Sequence, residues 1–236
     1  MNEKYKSSGR EGNMKSVLVV GLGRFGHHLT HNLLELGNDV MIVDIDEKKI
    51  EDLVPYVTSA KIGDCTNPEV LKGLGIANFD IVFVCIGTNF QSSLEITSLA
   101  KEMGAKLVIS KATRDIQAKF LLRNGADEVI YPEKDLAEGC AVRYSMDNIF
   151  DYMEMTDGYG IYEITPIPEW CEKSIRESNI AAKHRISILG IKTADGSTSI
   201  MPSPDYVINS KEHLIVLANN NVIMPMLKKV KQSFRK

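Results

Sequence analysis

The sequence predicts an α/β protein: a Rossmann-like, doubly wound parallel sheet followed by a small α+β unit. Three observations carry that reading. From residue 15 to about 133, short β-branched runs alternate with helical stretches, giving six strands joined by five crossovers. The strand candidates are apolar throughout rather than alternating, as a sheet covered on both faces requires. Beyond residue 160 the alternation of strand and helix gives way to a succession of strand-like runs, and the roughly 80 residues left are too few to repeat the first architecture.

Strand candidates span residues 17–20, 40–43, 59–62, 81–85, 107–109 and 128–130. Helical candidates lie between them at 24–36, 47–56, 68–74, 89–103 and 115–123. Residues 135–150 read as another helix, and 151–160 as a polar connection broken by Gly158 and Gly160. Strands follow at 161–164, 184–191, 197–201 and 213–217, with a turn at Asp195-Gly196 and a helix over 222–231. Residues 1–13 are polar and aperiodic, and are expected to form a flexible extension outside the fold.

Composition narrows the classes of function. A chain of 236 residues with 44% apolar content can bury a core, and a net charge of −3 gives no general attraction to nucleic acid or anionic lipid. The basic end, from Lys228 to Lys236, reads as a solvated helix terminus. Cys65, Cys85, Cys140 and Cys171 are widely separated and form no metal-ligand spacing, which suits a reducing cytoplasm. No run of 18 apolar residues and no signal peptide is seen, so neither membrane insertion nor export is expected.

The most informative stretch, SVLVVGLGRFGHHL, begins at Ser16 and places G-x-G-x-x-G between a strand and a helix. Gly21 would make the tight turn, Gly23 would admit a phosphate to the backbone, and Gly26 would let helix and sheet pack closely. The helix N-terminus then offers unpaired N–H groups and partial positive charge to an anion. Asp44 ends the second strand, 23 residues after Gly21, where a carboxylate accepts from ribose hydroxyls and disfavours a 2′-phosphate. Asp46 fits the cap of the following turn. Two further strand ends belong to the same sheet edge. In GDCT, Asp64, next to Cys65, could receive an adenine amino group; in CIGTN, the backbone near Gly87 could flank adenosine. Thr66 and Asn89 could equally be helix caps.

Catalysis is not expected. A dehydrogenase needs a proton donor, yet no Tyr-x-x-x-Lys pair occurs and none of the five histidines suggests one. Arg24, beside Phe25 inside the glycine loop, could instead reach terminal phosphates of this site or a neighbour's. Lys111 ends the fifth strand and could add a phosphate contact, and Glu133 could help hold a cation or simply favour a helix N-terminus. An NAD(H)-dependent oxidoreductase or redox sensor is the rival reading.

In order along the chain, VVGLGRFGHHL, VDIDEKKI, GDCTNPEVLKGLGI, VCIGTN, GAKLVISKA and GADEVIYPEKDLA resemble the RCK (KTN) family, specifically the KtrA/TrkA-type cytosolic regulators of potassium uptake. The resemblance implies an RCK N-lobe at 14–134, a crossover helix and linker at 135–158, and a C-lobe at 159–236. It further implies homodimers assembled into an octameric ring beneath an integral-membrane potassium transporter subunit, at the inner face of the membrane. ATP would favour activation and ADP the inactive form, with NAD or NADH as the second choice of ligand. Arg24 would contact terminal phosphates, Asp44 the ribose, and Glu133 a divalent or monovalent cation between subunits. The crossover helix would exchange between partners. Cyclic di-AMP could bind the C-lobe through Ile180, Lys183, His184 and Arg185 with Pro202, although Ala181 stands where many members carry arginine.

Overall fold

The computed structural model describes residues 14–155 and 157–233; the extension expected at 1–13 and the last basic residues at 234–236 lie outside the described residues. The chain divides into two compact units between Lys134 and Asp135.

The first unit runs β1 (Ser16–Val20), α1 (Arg24–Glu35), β2 (Asp39–Asp44), β3 (Ser59–Ile62), α2 (Pro68–Leu74), β4 (Ile81–Val84), α3 (Phe90–Glu102), β5 (Val108–Lys111), α4 (Asp115–Arg123) and β6 (Glu128–Ile130). All six strands are parallel, in the order β3-β2-β1-β4-β5-β6. The apolar strands feed two cores at once. Leu18 and Val20 join Val43, Val82 and Val84 on one face, while Val17 and Val19 join Val40 and Ile42 on the other. Because β1 lies between β2 and β4, the crossovers leave it in opposite directions. That order opens a crevice at the carboxyl ends of β1 and β4.

The helix expected at 47–56 is not formed. A single 3-10 turn at Glu47–Lys49, capped by Asp46 accepting the Lys48 N–H at 3.2 Å, gives way to irregular turns. Pro55 supplies the reason: it has no N–H for the Glu51 carbonyl and its ring crowds that turn.

The second unit contains β7 (Ile149–Glu154), β8 (Tyr159–Ile164), α6 (Ile175–Ser178), α7 (Ile180–His184), β9 (Ser187–Lys192), β10 (Thr198–Ile200), β11 (His213–Asn219) and α8 (Asn220–Ser233). It follows α5 (Pro132–Ser145), which begins in the first unit. The sheet is antiparallel, in the order β10-β9-β11-β8-β7, over a core built around Trp170, Tyr162 and Ile186.

Two expectations are corrected here. The helix read over 135–150 ends at Ser145, and much of the expected linker is β7, hairpinned to β8. Asp157 and Gly158 both have positive φ, 59° and 73°, as a tight hairpin turn demands. Tyr152 faces Tyr162 across the pair, with ring centroids 4.8 Å apart. The strand expected at 184–191 starts at Ser187, because Ile180–His184 is helical and Arg185 ends it at φ 55°.

Candidate functional site

The glycine loop is built as its spacing demands. Gly21 sits at φ +91°, and a Cβ there would lie 2.9 Å from the Ile86 side chain; its N–H donates to the Val43 carbonyl at 2.8 Å. A Cβ on Gly26 would collide with the Gly21 carbonyl oxygen, so α1 can pack onto the loop only with glycine there. Gly23 is different. It precedes α1 with open space where a Cβ would stand, and α1 carries no acidic residue in its first turn. The helix therefore presents an uncompensated positive end to the crevice.

Asp44 is nearly fully buried. One carboxylate oxygen accepts the Leu22 N–H at 2.7 Å, the other accepts the Asp46 N–H at 2.9 Å, and Lys49 Nζ lies 3.5 Å away. A carboxylate has about four acceptor sites, so two remain for the hydroxyls of a ribose.

These groups border a cleft of about 510 Å³, which also receives Asp64, Cys65, Gly87 and Asn89 from the ends of β3 and β4. Val20, Val43, Ile86 and Ile96 supply apolar wall. Asp64 accepts the Thr66 hydroxyl at 2.7 Å and its N–H at 3.0 Å, and these bonds hold its carboxyl below the usual range. Burial pushes the Cys65 thiol up to about 12. Asn89 caps α3 by accepting the Ser92 N–H at 3.2 Å; α2 is capped by Asn67 rather than by Thr66.

The remaining expected residues stand outside that cleft. Arg24 lines a second cavity of about 320 Å³ with His27, His28, Lys48, Lys49 and Asp52, which adjoins the first through Gly23 and Lys49. Lys111 donates to Glu133 at 2.6 Å and sits 5.7 Å from the centre of the Phe25 ring. That hydrogen bond, with a smaller contribution from the charge of Arg24, holds the Glu133 carboxyl below its usual range. Among the described residues no three His, Cys, Asp or Glu side chains converge as metal ligands, so Glu133 of one chain supplies at most part of a cation site. Asp46 is the cap of the turn after β2.

In the second unit, Ile180 is only 1% exposed and packs in the core, so it offers no contact surface there. Lys183 and Arg185 are exposed, while His184 and Pro202 are half-buried. The His184 ring lies 6.0 Å from Trp170.

Lys49 and Ile86 were passed over in the sequence. Ile86 adjoins Cys85 and Gly87 in CIGTN, and Lys49 lies three residues after Asp46 in DIDEKK; that proximity was the available signal. Among the described residues no helix is long and apolar enough to cross a membrane.

Comparison with known proteins places this geometry among relatives. The TrkA-N domain family model matches residues 17–132 and the TrkA-C domain model residues 161–230. The Ktr system potassium uptake protein C of Bacillus subtilis is 36% identical over 216 residues, covering 92% of this chain and 97% of that protein. The Ktr system potassium uptake protein A of the same organism is 35% identical over 209 residues, covering 89% and 94%. Among solved structures, the GsuK RCK domain superposes with a TM-score of 0.63 at 16% identity, over 93% of this chain and 48% of that one. The GsuK channel bound to NAD gives 0.62 at 17% identity, over 89% and 38%. This chain thus spans less than half the length of those structures, and the likeness to them is one of fold.

Proposed function

Because the chain belongs to the RCK family of proteins that join a TrkA-N to a TrkA-C domain, we propose that it is a nucleotide-reading regulatory subunit of a potassium uptake system. The observation that carries this is the cleft of about 510 Å³, where Asp44 and the open backbone at Gly23 meet the acid-free end of α1. It suits a ribose beside a phosphate chain.

The site reads a ligand rather than transforming it. Asp44 is committed to two amide N–H groups, Asp64 to Thr66, and the Cys65 thiol is held near 12. A carboxyl held low at Asp64 and a thiol held near 12 at Cys65 are not matched to proton transfer near neutral pH. The proposed ligands are ATP and ADP, told apart by Arg24 acting on a terminal phosphate, with a cation shared at Glu133 between subunits. NADH is the competing ligand.

The assembly we propose is a cytoplasmic homodimer that builds an octameric ring, docks on an integral-membrane potassium transporter subunit, and exchanges α5 between partners. A ligand shifts such a ring only by its difference in affinity between two shapes, typically about 1–3 kcal/mol of coupling. Cyclic di-AMP is a second proposed ligand of the C-terminal unit, through Lys183, His184, Arg185 and Pro202.

Calorimetric titration with ATP, ADP, NADH and NAD tests the reading. ATP and ADP are expected to bind, with Arg24→Ala weakening ATP selectively. A preference for NADH that ignores Arg24→Ala overturns it in favour of redox sensing.

A further inference from the structure

We propose that the second cavity, beside Asp44, is a phosphoryl-binding annex that admits an adenine nucleotide carrying an extra phosphate on its ribose. The inference rests on the nucleotide reading above and names a ligand class which Asp44 alone would argue against.

The annex lies between the first turn of α1 and the segment after β2. Its walls carry the cations Arg24, Lys48 and Lys49, with His28 beside them. The one carboxylate among its lining residues, Asp52, is engaged by His27 Nε2 at 2.7 Å. Cationic charge therefore dominates a space of about 320 Å³, ample for a phosphate with its hydration. The connection to the main cleft runs through Gly23 and Lys49, one at the phosphate loop and the other at the ribose carboxylate.

Lys49 is the decisive residue. Its Nζ lies 3.5 Å from Asp44, beside the groups a bound ribose would meet. An unaccompanied carboxylate repels a ribose 2′-phosphate, whereas a basic side chain next to it accommodates one. Here Asp44 already spends charge on the Leu22 and Asp46 N–H groups and on Lys49.

The test is calorimetric titration of the full chain with NAD and NADP, which differ only in that phosphate. NADP is expected to bind at least as tightly as NAD, and Lys48→Ala to weaken NADP about tenfold while leaving NAD within about twofold. Lys48 is exposed and lines the annex but not the main cleft, so a general loss of fold would weaken both ligands together. Binding of NAD with NADP rejected about tenfold overturns the annex and leaves the nucleotide reading intact. Failure of NAD, ADP and ATP alike overturns both. Inorganic phosphate added to the NAD-saturated protein separates the two sources of the anion. Phosphate binding that Lys48→Ala abolishes, without any gain for NADP, overturns the assignment to a ribose phosphate.

Discussion

The Asp44 carboxylate accepts the Leu22 N–H at 2.7 Å, so the side chain proposed to meet a ribose also fastens the backbone of the glycine loop. The proposed binding and the loop geometry would thereby depend on one buried group. Asp44→Ala removes the acceptor for two backbone N–H groups and should cost about 2–3 kcal/mol of stability in the first unit along with nucleotide affinity. Asp44→Asn keeps one carbonyl acceptor and should recover part of the stability but little of the binding. Denaturant unfolding and nucleotide titration of both variants check this. Equal loss of stability in the two would mean that the charge, and not acceptance by oxygen, anchors the loop.

Lys111 and Glu133 should respond with opposite signs. Glu133 is well exposed, so breaking the pair changes stability by no more than about 1 kcal/mol. Binding is another matter. Lys111→Gln removes an ammonium from beside Gly87, and ATP should bind more weakly in the absence of divalent cations. Glu133→Gln releases that ammonium toward phosphate, and ATP should bind more tightly under the same conditions. Titration in chelator decides it; a shift of both variants in the same direction defeats the argument.

How far the sequence could be read depends on which forces were local. The six parallel strands announce themselves because burial on two faces demands unbroken apolar runs, and Val17–Val20 supply one. Gly21, Gly26 and Asp44 were equally legible, since each answers to backbone geometry or to a strand end. Strand β7 was not. Its alternation is weak, Phe150 and Asp151 both being exposed, and its stability comes from pairing with β8, a partner that a window of local sequence does not contain. Asp157-Gly158 was the missed signal. Arg24 was legible as a loop cation but not as a wall of the second cavity, because His27, His28 and Lys48 reach that wall only through the fold. Ile180 was expected as a ligand contact beside Lys183 and Arg185, yet the short helix α7 turns it into the core.

Acid should weaken the second unit through Glu163. Burial works to raise its pKa, but the hydrogen bond from His213 Nδ1 at 2.7 Å and those from Lys192 at 3.1 Å outweigh burial and hold it below its ordinary 4.5. A carboxyl depressed in the folded state contributes its full stability above the unfolded value and loses it as pH falls through the folded one. The gap in stability between wild type and Glu163→Gln should therefore be fully present above the ordinary carboxyl range and close as pH falls through the lowered folded value. Trp170, the single tryptophan and only 2% exposed in this unit, gives a fluorescence readout of its unfolding. A gap that stays constant with pH would show that Glu163 acts through packing alone.

Gly23 and Gly26 separate folding from binding within four residues of chain. A Cβ at Gly26 meets the Gly21 carbonyl oxygen and lies 3.2 Å from the Cys85 side chain, and both residues are tied to the sheet by main-chain hydrogen bonds, Gly21 N–H to the Val43 carbonyl and Cys85 N–H to the Val20 carbonyl, each at 2.8 Å. Gly26→Ala should cost about 3 kcal/mol or more, lowering the thermal midpoint of the first unit or its soluble yield. Gly23 has φ −65°, ordinary for any residue, and nothing within 4 Å of the position a Cβ would take. Gly23→Ala should therefore fold with wild-type stability, within about 0.5 kcal/mol, or gain slightly from a stiffer unfolded chain. Its methyl group would instead project toward the space a phosphate needs at the end of α1, and ATP, ADP and NAD should all lose at least about tenfold in affinity. Thermal unfolding and calorimetry on the two variants together make the comparison. If Gly23→Ala binds nucleotides as the wild type does, the phosphates do not approach the loop at Gly23, and the assignment of this cleft to a nucleotide fails with it.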